Sequence, residues 1–147
     1  MKDPNSLKEV ESRATQEDPL VMYFIVNETL GMGTGKVAAQ CAHAAQMILL
    51  NYFHFYKMDI ESNVNELPPF SRETFELIEE WLNVSFRKVV LKADNKEWDK
   101  IKNEFSKKVI VIDAGLTEVN SGSETVIGLY PMKKSERPKL IKKLRCL

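Results

Sequence analysis

The sequence is poor in cysteine, carries no net charge and has no long apolar run, and each shortage excludes a class of protein. Two cysteines in 147 residues, Cys41 and Cys146, cannot build a disulfide framework, so a reducing compartment, the cytoplasm, is expected. No apolar stretch approaches the roughly 20 residues that span a membrane as a helix. The first twenty residues hold three Lys/Arg against five Asp/Glu and lack an apolar core segment, so neither a secretion signal nor an import presequence is expected. The balance of 21 Lys+Arg against 21 Asp+Glu hides an uneven distribution. Residues 131–147 carry +6 and residues 86–108 carry +4, whereas residues 57–85 carry −5. A neutral total therefore leaves room for a polyanionic partner if the basic segments share a surface. The alternative is that these charges only solvate helix faces.

At this length one domain is expected, with enough chain to bury a core without metal or disulfide staples. Residues 1–19, polar and aperiodic with Pro4 and Pro19, read as a mobile tail ahead of a domain at 20–147. Val21–Val26 is a continuous apolar run of β-branched and aromatic residues, the signature of a strand buried on both faces. A glycine-bearing loop follows, then a helix from Lys36 to about Tyr56 whose early alanines let it lie close on a sheet. Its bulkier end, Tyr52, Phe53, Phe55 and Tyr56, reads as core rather than a base-stacking platform. Residues 57–85 form an acidic insertion, with a packing helix from Ser71 that buries Phe75, Ile78, Trp81 and Leu82. Lys88–Lys92 is a second strand, and Asp94 with Glu97 has the form of a capping box ahead of a helix burying Trp98, Ile101 and Phe105. Val109–Ile112 and Thr125–Leu129 are the third and fourth strands, and Ser135 starts a last helix with Leu140, Ile141 and Leu144 inside. The order β-α-α-β-α-β-β-α predicts a single α/β domain with a four-stranded mixed sheet and helices on both faces. The short link between the third and fourth strands permits antiparallel pairing.

The stretch from Gly31 to His43, GMGTGKVAAQCAH, is where chemistry concentrates. At about 100° per residue Lys36, Gln40 and His43 fall within roughly 60° of one helix face, and Val37, Cys41, Ala44 and Ile48 form a separate apolar face. That places Cys41 as a small buried hydrophobe rather than a nucleophile. Glycines and a lysine at a helix start suit an anion, because unpaired backbone N–H groups and the positive dipole end attract phosphate or carboxylate. A Walker loop is excluded, since Leu30 and Val37 stand where it needs glycine and Ser/Thr. A dinucleotide fingerprint is excluded because Lys36 occupies the position of its third glycine.

In open α/β sheets ligands bind beyond the carboxyl ends of the strands. If the first and third strands are parallel neighbours, the start of the first helix meets Asp113 at one sheet edge, and Lys36 pairs with Asp113. Thr117 and Thr125 lie near the same edge. Neither threonine has an adjacent base, so this set suits hydrolysis of an activated ester, with Asp113 orienting a water and Lys36 steadying a phosphate or oxyanion. Duller roles exist for each: Asp113 and Thr117 as turn caps, His43 as a structural histidine.

Three separated blocks then match a family. GTGKVAAQCAHAA at 33–45, DAGLT at 113–117 and GSETVIG at 122–128 resemble the archaeal and eukaryotic type of peptidyl-tRNA hydrolase, as does the pattern from Pro131 to Leu144. The resemblance implies a compact α/β domain, often a dimer, that hydrolyses the ester joining a peptide to the 3′ ribose of tRNA without metal or other cofactor. It puts the family's functional residues on Lys36, Gln40, His43, Asp113, Thr117 and Thr125. Lys36, His43, Asp113, Thr117 and Thr125 are thus the candidate catalytic residues; Gly33, Gly35, Gln40, Gly115 and Ser123 are candidates for holding substrate. Where the family usually has Arg and Asp before the glycine loop this chain has Asn27 and Thr29, the loop's usual basic residues are Gly31 and Thr34, and Leu116 and Glu118 replace Arg and Gln. These exchanges, with the acidic insertion, keep open a second reading: a non-catalytic adaptor that binds tRNA or, through the insertion, a protein partner.

Overall fold

The computed structural model describes residues 17–62, 66–67 and 70–147, with side chains described outside 58–71. The predicted mobile tail lies outside the described residues as far as residue 16, as does part of the acidic insertion.

Strand β1, Leu20–Asn27, is buried at every position, as its unbroken apolar sequence predicts. Alternate side chains serve two cores. Met22, Phe24 and Val26 pack with helices α1, Thr34–Ser62, and α2, Arg72–Glu80; Val21, Tyr23 and Ile25 pack with α3, Asn95–Glu104, and α4, Lys139–Lys142. Helices therefore cover both faces of a mixed sheet. At ~25 cal/mol per Å² of apolar surface, such two-sided burial makes β1 the main stabilising contact surface of the fold.

The sheet has six strands rather than the predicted four. Its order is β5 (Lys108–Ile112), β6 (Glu124–Leu129), β1, β4 (Arg87–Ala93) and β8 (Arg145–Cys146), with β7 (Met132–Lys133) also pairing with β1. The two extra strands are two residues each, too short to show an alternating pattern. A separate hairpin, β2 (Glu66–Leu67) with β3 (Phe70–Ser71), precedes α2 and takes Ser71 out of the predicted helix.

Strands β1 and β4 pair in parallel, and β5 and β6 pair antiparallel, as the link between them permits. The assumed adjacency of β1 and β5 is corrected: β6 lies between them, antiparallel to both. Two successive reversals make β1 and β5 run the same way, so their carboxyl ends and the start of β6 meet at one edge. Helix α1 crosses β6 at Gly128, where a Cβ would stand 3.1 Å from that of Ala44. Small residues on both sides bring the helix down to the sheet.

Asp94 forms the predicted capping box with Glu97. Helix α2 closes in a π-helical turn, Trp81–Ser85, whose end bond runs from the Phe86 N–H to the Trp81 carbonyl, 2.7 Å, with Phe86 at φ 60°. The Phe86 ring stacks on Trp81, 5.3 Å between centroids, which holds this left-handed residue in place. The last helix starts at Lys139 rather than Ser135, because Pro138 disfavours helical backbone at Arg137; a 3₁₀ turn spans Lys134–Glu136 instead. Of the aromatic end of α1, Tyr52 and Phe55 are core while Phe53 and Tyr56 are exposed. Among the described residues no helix is long and apolar enough to cross a membrane.

Candidate active site

The common edge of β1, β5 and β6 holds a hydrogen-bonded chain of four side chains. Asp113, one residue past β5, receives Lys36 Nζ on Oδ1 at 2.5 Å and Gln40 Nε2 on the same oxygen at 3.2 Å. Its Oδ2 accepts the Gly115 N–H at 2.7 Å. A carboxylate only accepts, so the Gln40 amide nitrogen must face Asp113, leaving its Oε1 to receive the Thr125 hydroxyl at 2.6 Å. Lys36 and Gln40 sit one helical turn apart on α1, so one helix face presents both to the same carboxylate.

The backbone around Asp113 is equally fixed. Its N–H donates to the Ser123 carbonyl at 2.9 Å and its carbonyl accepts from the Gly122 N–H at 2.8 Å, closing the β5–β6 loop. Gly115 adopts φ +78°, and a Cβ there would lie 2.4 Å from the Ser121 nitrogen, so only glycine fits.

The Asp113 side chain is 6% exposed and that of Lys36 11%. The hydrogen bond from Lys36, then that from the Gly115 N–H, hold the Asp113 carboxyl below the usual carboxylate range, against the opposing effect of burial. Asp113 is therefore an anion at neutral pH and a weak base. Three of its roughly four acceptor positions are filled, leaving one on Oδ2.

A cleft of about 530 Å³ opens beside this chain, lined among others by Gly35, Lys36, Gln40, His43, Asp113 and Thr117. The structure thus gathers Lys36, His43, Asp113 and Thr117 around one hollow. Thr125 does not reach it: the residue is 0% exposed and touches the cleft only through Gln40. Gly33 donates its N–H to Glu118 Oε2 at 2.6 Å, so the expected anion position at the head of α1 holds the chain's own carboxylate. Ser123 enters through its carbonyl alone, not as a side chain facing substrate.

Sequence reasoning gave Leu116 and Glu118 only as exchanges at family positions and did not place them, or Ile112, at the site. Glu118 and Leu116 line the cleft from the loop after Asp113, and Leu116 is 88% exposed. The position of Leu116 and Glu118, three and five residues after Asp113, was the available signal. Burial pushes the Cys41 thiol up to about 11, which removes it as a nucleophile. Among the described residues no group of three or more His, Cys, Asp or Glu is placed to hold a metal ion.

The family described as Peptidyl-tRNA hydrolase PTH2 matches residues 20–147. The chain is 29% identical over 136 residues to "Peptidyl-tRNA hydrolase 2" of Saccharomyces cerevisiae, covering 86% of this chain and 58% of that protein. It is 34% identical over 116 residues to "Peptidyl-tRNA hydrolase 2, mitochondrial" of Bos taurus, 75% of this chain and 54% of that one. With "Peptidyl-tRNA hydrolase" of Methanopyrus kandleri the identity is 32% over 118 residues, covering 77% and 85%. The chain thus spans a little over half the length of the first eukaryotic relatives and most of the archaeal one. The match takes in all of the sheet, both cores and every member of the Lys36–Asp113–Gln40–Thr125 chain, and on that ground the protein belongs to the peptidyl-tRNA hydrolase PTH2 family.

Proposed function

We propose that this protein hydrolyses the ester between a peptide and the 3′ ribose of tRNA. The observation that carries the reading is the Lys36–Asp113 pair at the head of an open cleft, buried enough to be rigid and open enough to meet substrate. In the reaction water adds to the ester carbonyl, the bond to the ribose oxygen breaks, and the products are a peptide acid and a tRNA with a free 3′ hydroxyl.

The residues have distinct tasks. The vacant acceptor position on Asp113 Oδ2 holds and orients the attacking water. Lys36 has two N–H donors beyond the one on Asp113, and these stabilise the developing oxyanion or a neighbouring phosphate. His43, exposed on the cleft wall, engages the tRNA end, and Thr117 at the rim positions the ester. Gln40 and Thr125 hold Asp113 in place from behind. Gly35 leaves room for substrate at the cleft wall, while Gly33 and Gly115 act within the protein, on Glu118 and on Asp113. No step in this scheme draws on a cofactor.

Release of peptide from purified peptidyl-tRNA tests the reading. Wild-type turnover at least 100-fold above Lys36→Ala and Asp113→Ala is expected, about 3 kcal/mol of transition-state stabilisation. Equal rates in all three would discard it. The free state of Cys41 and Cys146 fits a cytoplasmic setting, and a homodimer, which the family resemblance implies, is checked by sedimentation. A protein partner on the 57–85 segment is checked by its deletion.

A further inference from the structure

The cleft has a neighbour. A trough of about 470 Å³ runs between α1 and the outer strand β5, lined by His43, Met47 and Leu50 on the helix and Ile110 and Ile112 on the strand. His43 and Ile112 border both hollows, so the trough is an extension of the cleft rather than a separate site. Among the described residues no Lys, Arg, Asp or Glu lines it, and Ile112 and Leu50 are 64% and 58% exposed. With His43 and Gln46 as its polar side chains among apolar ones, such a surface suits an uncharged, partly apolar chain better than a phosphate chain.

Strand β5 ends the sheet, and among the described residues it pairs only with β6. An end strand has outward backbone N–H and C=O groups on its free side, the template on which an extended peptide adds as a further strand. From His43 to Leu50 the helix advances about 10 Å at ~1.5 Å per residue. An extended peptide takes ~3.3 Å per residue, so the trough accommodates about three.

Resting on the hydrolase reading, we infer that this trough holds the last residues of the peptide being released, laid along β5. The orientation follows from the cleft's position at the carboxyl end of β5. The ester at the peptide's C-terminus sits over Asp113, so the peptide runs back toward Lys108 parallel to β5. The tRNA approaches from the opposite side, past Gly35 and Lys36. Preference for a chain of several residues over a single one then comes from contacts remote from the reacting bond.

The test compares kcat/KM for N-acetyl-valyl-tRNA and N-acetyl-trivalyl-tRNA. The wild type is expected to favour the three-residue substrate by about fivefold or more. Leu50→Asp, at an exposed position outside both cores, should bring that ratio to about one. Equal kcat/KM in the wild type, or a ratio untouched by Leu50→Asp, overturns the inference. A second measurement stands apart from catalysis: acetyl-trivaline amide titrated into ¹⁵N-labelled protein should shift the Ile110 and Ile112 amides, and their constancy overturns it too. If neither tRNA substrate is hydrolysed the hydrolase reading has failed, and the amide titration alone decides the trough. A dimer that Leu50→Asp dissolves would assign the trough to a second copy and overturn the peptide.

Discussion

Asp113 and Glu118 stand five residues apart in one loop, Asp113 against the Lys36 ammonium and Glu118 against the Gly33 N–H. Asp113 is neutralised by Lys36, and its carboxyl is held below its ordinary value chiefly by that bond. Its proton is therefore bound more weakly in the folded chain than in the unfolded one. The stability this contributes is complete above the unfolded value near 3.9 and is lost as pH falls through the folded one. In Lys36→Met the gap in urea midpoint from the wild type should accordingly narrow as pH falls from 7 to 3; a constant gap would place the Lys36 contribution elsewhere. Glu118 leaves the cleft with two carboxylates against one lysine, and it occupies the Gly33 N–H. Glu118→Gln keeps an acceptor for that N–H and removes the charge, so tRNA should bind about fivefold more tightly at low salt, read by filter binding.

Among the elements, the loop from Asp113 to Ser123 depends most on one residue. Gly115→Ala places a methyl against the Ser121 backbone at positive φ and should cost at least about 1 kcal/mol in urea unfolding. It should also move the N–H that holds Asp113 Oδ2, lowering peptide release. How much of this was legible in the sequence varies by element. The unbroken apolar run of β1 and the Asp94–Glu97 pair carry their structure in local chemistry and appear as read, whereas the predicted stripe of α2 holds at Phe75 and Ile78 but runs on into the π-helical turn at Trp81 and at a half-buried Leu82. β7 and β8 do not, because two residues form a strand only when another strand is already beside them. The order of strands was likewise hidden, because the place of β6 between β1 and β5 is not carried by hydrophobic pattern. In the site, Lys36, Gln40 and His43 were readable from helical spacing alone. The burial of Thr125 was not, since a threonine opening a strand looks the same whether it meets a ligand or the underside of Gln40.

For the whole molecule, one helix from each basic segment lies on the same side. Helices α3 and α4, one from each segment, pack on the same sheet face, and β4 and β8 are neighbours, while the acidic segment's α2 lies on the other face. Binding of tRNA should therefore weaken steeply with salt, and Lys142→Gln with Lys143→Gln should flatten the log–log slope by about 1 to 2, with little change from Glu76→Gln on the far side. The buried middle strand has its own consequence. Since Leu20–Asn27 is the common wall of two compartments, neither can come apart while the other stands, and a gap opened beneath α1 loosens the floor beneath α3. The chain's two tryptophans happen to watch one compartment each, Trp81 under α2 and Trp98 on α3. Followed separately in Trp81→Phe and Trp98→Phe, their fluorescence should mark single denaturant transitions, each coincident with that of the same variant's backbone signal. A molecule with a core on either side of one strand should melt as one.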